Sequence, residues 1–92
     1  LCLPSHLHRD IAIRALEAGK HVLVEKPIAL SVEDADAMIA AAERTGNLLM
    51  VAQVLRFWPE FAVIKDLLES GEYGALRGAH FKRVISKPDW SV

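Results

Sequence analysis

The chain has 92 residues, 52% of them hydrophobic, so it is core-forming material and not a disordered tail, although it falls short of the roughly 100–200 residues of a typical domain. Eleven Lys and Arg stand against twelve Asp and Glu, which gives no basic excess to attract nucleic acid or an anionic membrane. No apolar run approaches the roughly 20 residues needed to span a bilayer, and no signal-peptide pattern is present.

Taken in chain order, Leu1–Leu3 reads as the end of a buried strand closed by Pro4-Ser5. The opening Leu-Cys-Leu-Pro starts inside an apolar segment without an initiator methionine, so a piece of a longer protein is expected. Cys2 has no partner for an internal disulfide, which leans toward a reducing, cytoplasmic compartment. From about His6 to Ala18 the residues Leu7, Ile11, Ala15 and Ala18 recur at helical steps, and Gly19 stands where a C-terminal cap belongs. His21–Glu25 is a short β-branched run stopped by Lys26-Pro27, whose X-Pro bond is open to the cis form. Ser31 is a suitable N-cap, Glu33 and Asp34 suit a helix N-terminus, and Ala35, Met38, Ile39 and Ala42 form the expected stripe as far as Gly46. Leu48–Gln53 is another continuous apolar strand.

Three apolar strands alternating with two helices indicate a doubly wound α/β arrangement, with parallel strands covered on both faces. The character changes near residue 54, giving an expected boundary between 1–54 and 55–92. Phe57–Ser70 predicts an amphipathic helix with Phe57, Phe61, Ile64 and Leu68 inward, followed by a turn at Gly71 and Gly74. Leu76–Ile85 alternates polar and apolar residues, as an antiparallel strand with one solvated face does; its charges keep it out of the covered parallel sheet.

Ligands of open parallel sheets bind beyond the carboxyl ends of the strands, where Glu25 and Lys26 are expected. A lysine there can donate hydrogen bonds or move protons; the competing account is an ordinary Glu25-Lys26 surface ion pair. His6 and His8 are two residues apart and share no helix face, so they do not make a metal pair. Trp58 and Trp90 are open to lining a sugar pocket or to plain packing, and Lys82-Arg83 to a solvated strand face.

Ala18-Gly19-Lys20-His21-Val22, continued to Glu25-Lys26-Pro27, resembles the motif of the glucose-fructose oxidoreductase, inositol dehydrogenase and MocA (Gfo/Idh/MocA) family. In the same order and spacing, Pro4-Ser5-His6-Leu7-His8 resembles the family's Thr-Pro-x-x-x-His turn, with Leu3 where threonine or serine is commoner. Ser31–Ala35, Arg56-Phe57-Trp58-Pro59 and Gly71-Glu72-Tyr73-Gly74 resemble its next helix start, the opening of its second domain and its Gly-x-x-Gly turn. The resemblance implies the C-terminal part of a Rossmann-type domain leading into an α+β substrate and oligomerisation domain with a largely antiparallel sheet.

It also implies roles. Lys26 matches the lysine that hydrogen-bonds the reacting oxygen and borders the nicotinamide ribose; Glu25 lines the cofactor groove or pairs with a neighbour. Pro4 and Ser5 match a turn running along the cofactor, and His8 matches a histidine near the nicotinamide end or is an ordinary first-turn residue. Gln53 and Arg56 fall at the domain junction, within reach of carboxamide or substrate hydroxyls, with Arg56 equally open to an interdomain ion pair. The implied cofactor is NAD or NADP and the implied substrate a sugar, polyol or related hydroxy compound, in a homo-oligomeric full-length protein. The family's pyrophosphate-binding Gly-x-Gly-x-x-Gly turn and its NAD-selecting acidic residue belong before residue 1, and its Asp-x-x-x-His pattern belongs beyond residue 92. The rival expectation is a non-catalytic relative that keeps the fold as a sensor or partner-binding protein.

Overall fold

The computed structural model describes residues 1–86, and the chain divides into two compact units, Leu1–Trp58 and the part from Pro59 onward. In the first unit, a 3-10 turn at Ser5–Leu7 leads into helix α1 (His8–Glu17), strand β1 (Val22–Val24), helix α2 (Val32–Thr45), strand β2 (Leu49–Val51) and a second 3-10 turn at Val54–Phe57. In the second unit, helix α3 spans Pro59–Ser70.

Local chemistry sets the helix ends. Gly19 adopts φ 74°, its N–H donates to the Leu16 carbonyl at 2.9 Å and the Lys20 N–H donates to Ala15 at 3.0 Å. This pair of bonds closes α1, and the left-handed residue between them favours glycine. Ser31 Oγ accepts from the Asp34 N–H at 3.1 Å, and Gly46 ends α2 at φ 68°.

β1 and β2 pair in parallel with Val22 opposite Leu49, Leu23 opposite Met50 and Val24 opposite Val51, and α2 makes the crossover. Beyond the last pair, Ala52 N–H still donates to the Val24 carbonyl at 2.8 Å. At the opposite end of the ladder, His21 Nδ1 accepts from the Leu48 N–H at 2.9 Å. The core gathers Ala12 and Leu16 of α1, Val22 and Val24 of β1, and Met38 and Ala41 of α2. Each larger apolar side chain removed from water there stabilises the unit by about 1.5–3 kcal/mol.

Several expectations need correcting. Leu1–Leu3 is not a strand; Leu1 alone joins the ladder, and the chain then turns away at Pro4, leaving Leu3 exposed. The sheet is covered on one face only: Val22 and Val24 are buried, whereas Leu23 and Met50 on the other face are 55% and 51% exposed. Both helices of the first unit pack on the Val22–Val24 side, and the described residues hold no layer for the other. The buried row of α1 is His8, Ala12 and Leu16, one position on from the expected row. In α2, Met38 and Ala41 are buried while Ile39 is exposed.

In the second unit, α3 begins at Pro59 and not at Phe57, which lies in the preceding 3-10 turn. Its apolar row Phe61, Ile64 and Leu68 is exposed, and Ile64 and Leu68 border an open cavity of about 330 Å³ with Tyr73 and Leu76. Leu76–Ile85 has no strand structure. A strand is stable only when neighbours take up its backbone donors and acceptors, and the described residues supply none for this segment.

Candidate functional site at the carboxyl edge of the strands

Hydrogen-bond register places three chain segments at one level. Leu1 N–H donates to the Leu23 carbonyl, and the Glu25 N–H donates to the Leu1 carbonyl at 3.0 Å, which sets Leu1 beside Val24 in the parallel pattern. Val24 pairs in turn with Val51. Pro4-Ser5, Glu25-Lys26 and Gln53 therefore all follow directly from that level and share the carboxyl edge, the side where open parallel sheets take ligands.

Pro4 accepts the Leu7 N–H at 2.9 Å and so opens the 3-10 turn, with Ser5 half-buried as its first residue. Glu25 is also half-buried, and its carboxylate accepts the backbone N–H of Lys26 at 3.3 Å. Lys26 is exposed and precedes Pro27 through a cis peptide bond. Its ammonium takes no partner among the described residues; the ion pairs there are Arg9–Asp10, Arg9–Asp34, Arg44–Glu17 and Lys65–Glu69. The Glu25-Lys26 ion pair left open by the sequence is absent.

Gln53 is exposed, and its carbonyl accepts the Arg56 N–H at 3.0 Å within the turn at Val54–Phe57. This bond holds Arg56 near the edge through the backbone, while the Arg56 side chain is exposed and tied to none of the other candidates. Trp58 is 42% exposed. Trp90 lies outside the described residues.

His8 stands apart from the others because, among the described residues, it is the single polar one that is buried, at 1% exposure. Its Nδ1 lies 2.9 Å from the Pro27 carbonyl and its Nε2 lies 2.8 Å from the Leu3 carbonyl. A carbonyl oxygen can only accept, so the ring nitrogen that carries the proton donates to its carbonyl, and the other nitrogen only lies beside the second. One side chain thus touches the turn before Pro4 and the turn after Lys26. Sequence reading placed His8 in this region but missed both carbonyl partners; the available signal was its four-residue spacing from Ala12 and Leu16.

The edge gathers an ammonium without a partner among the described residues, a hydroxyl on a tight turn and a side-chain amide. Among the described residues, no cluster of three or more His, Cys, Asp or Glu is placed to hold a metal ion, and no helix is long and apolar enough to cross a membrane.

Comparison with known proteins agrees with this topology. A family model described as an oxidoreductase family with an NAD-binding Rossmann fold matches residues 1–53. An uncharacterised oxidoreductase of Rhizobium meliloti is 49% identical over 75 residues, 82% of this chain and 22% of that protein. Levoglucosan dehydrogenase of Pseudarthrobacter phenanthrenivorans is 38% identical over 95 residues, 100% of this chain and 23% of that protein. Among solved structures, the WlbA dehydrogenase of Bordetella pertussis, in complex with NADH and UDP-GlcNAcA, superposes with a TM-score of 0.77 at 36% identity, covering 80% of this chain and 21% of that one. The chain spans about a fifth of the length of the relatives it matches.

Proposed function

The chain belongs to the Gfo/Idh/MocA oxidoreductase family with its NAD-binding Rossmann fold, and from that premise we propose that the full-length protein moves hydride between NAD or NADP and a sugar, polyol or related hydroxy compound. The observation that carries this reading is Lys26: exposed, without an ionic partner among the described residues, and at the strand edge where the Pro4-Ser5 turn and Gln53 also emerge. Sugar-directed relatives support the substrate class, since one is named for levoglucosan and another was solved with a UDP-sugar acid.

When bound, the nicotinamide supplies or takes up the hydride. Lys26 holds the reacting substrate oxygen by a charge-assisted hydrogen bond. In the reducing direction it donates a proton to that oxygen as the carbonyl carbon receives hydride, and in the oxidising direction the neutral amine takes the proton back. Pro4, Ser5, His8, Glu25, Gln53 and Arg56 belong to the cofactor side of the cleft, with Ser5 and Gln53 offering hydrogen-bonding groups along it. Residues 1–54 would form the end of the nucleotide-binding domain, and 55–92 would open an α+β substrate and oligomerisation domain. The exposed apolar row of α3 supports that division, because it requires further layers to cover it.

The test is Lys26→Met in the full-length protein, assayed against a sugar and polyol panel. Loss of a positioned acid-base group lowers kcat and kcat/KM together by about 10²–10⁴-fold. NADH affinity and the melting temperature should hardly move, because the ammonium has no structural partner to lose. Turnover within about threefold of wild type would overturn the assignment.

A further inference from the structure

We propose that His8 is the positioning residue for Lys26: through its ring, the turn that carries Lys26 is strapped to the turn that carries Pro4 and Ser5. The inference rests on the catalytic reading of Lys26 given above. Nδ1 lies 2.9 Å from the carbonyl of Pro27, the residue directly after Lys26, and Nε2 lies 2.8 Å from the carbonyl of Leu3, directly before Pro4. Because the ring is 1% exposed, water does not compete for these contacts. The ring is held from below as well: His8 opens the buried row continued by Ala12 and Leu16, so its position is set by the core of the unit. The strap therefore transmits the rigidity of the helix–sheet core to a strand-end turn whose own lysine has no anchor. Both ring nitrogens face backbone carbonyls, and the strap puts the ring proton on Nδ1 toward Pro27, so His8 acts through the turns it holds. A displacement of about 1 Å at a reacting group can cost on the order of 10²-fold in rate, which gives such a strap kinetic weight.

Two substitutions in the full-length protein separate the contacts. An Asn amide nitrogen, two bonds beyond Cβ like Nδ1, can keep the donation to Pro27, whereas a Gln amide nitrogen, three bonds beyond Cβ like Nε2, can reach Leu3 instead. His8→Gln is expected to lower kcat about 10–10²-fold with KM for NADH changed less than threefold, and His8→Asn to recover most of that loss. On a Lys26→Met background, His8→Gln should lower kcat no further, because both changes remove one function. Equal kcat in both His8 variants, or losses that multiply with Lys26→Met, would overturn the strap. If Lys26→Met alone leaves turnover intact, the proposed function fails; if Lys26→Met lowers turnover and His8→Gln does not, the strap alone fails. A check that needs no variant is the imidazole nitrogen–proton NMR spectrum of the wild-type protein. An exchange-protected proton on His8 Nδ1 is expected, and a ring proton confined to Nε2 would overturn the tie to Pro27.

Discussion

Leu16, Ala12 and His8 stand four residues apart on one side of α1, and all three are buried. Hydrophobicity alone points one residue earlier, to Leu7, Ile11 and Ala15, because a histidine counts as polar in any periodicity. A carbonyl partner offsets that penalty: a polar ring whose N–H is hydrogen-bonded can lie in a core at a smaller desolvation cost. The carbonyls beside the ring come from Leu3 and Pro27, distant in sequence from each other, so no local window reveals them. Lys26 was more legible, since its position at a strand end follows from the run Val22–Val24 and the stop at Pro27. The shifted row has a measurable consequence. Leu16→Ala should cost the full-length protein about 2–5 kcal/mol, while Leu7→Ala, in the exposed 3-10 turn, should stay near 0.5 kcal/mol. Urea denaturation of the two variants checks this; comparable losses would restore the earlier row.

Among the elements, α2 was the most legible because its ends are decided by residues next to them. Ser31, Glu33 and Asp34 announce the start, and Gly46 supplies the left-handed residue at the end. Two surface ion pairs tie it to α1, Arg9–Asp34 at 3.2 Å and Arg44–Glu17 at 2.7 Å, with side chains 42–58% exposed. Exposed pairs of this kind contribute at most about 1 kcal/mol each and weaken with salt. Ser31→Ala should therefore cost about 1 kcal/mol at any ionic strength, whereas Glu17→Gln should cost less and lose its effect in 1 M salt. Denaturation at low and high salt distinguishes the two. Leu76–Ile85 shows the opposite case. Alternation fits a strand, yet a strand depends on pairing with another strand, and Leu76–Ile85 joins no sheet among the described residues. The apolar row Phe61, Ile64 and Leu68 of α3 follows the helical spacing expected from the sequence, but it is exposed and not buried.

At the scale of the whole molecule, the parallel pair presents two unlike faces. Val22 and Val24 lie under α1 and α2, while Leu23 and Met50 face out at 55% and 51% exposure. A strand that is apolar on both faces is what a doubly wound sheet requires, where helices cover both sides. A Rossmann fold predicts such a layer over Leu23 in a full-length protein, and none occurs among the described residues. This gives a substitution whose effect depends on the length of the chain. Leu23→Lys in the isolated 92-residue chain places a charge on an open face and should change stability by no more than about 0.5 kcal/mol. In the full-length protein the same lysine would be forced beneath a helical layer, where an unpaired ammonium costs several kcal/mol or must give up its proton. Thermal denaturation of both forms, wild type beside variant, reads the difference directly. A full-length variant that melts with the wild type would mean that the Leu23 face stays open to solvent, and the doubly wound arrangement would not extend to this sheet.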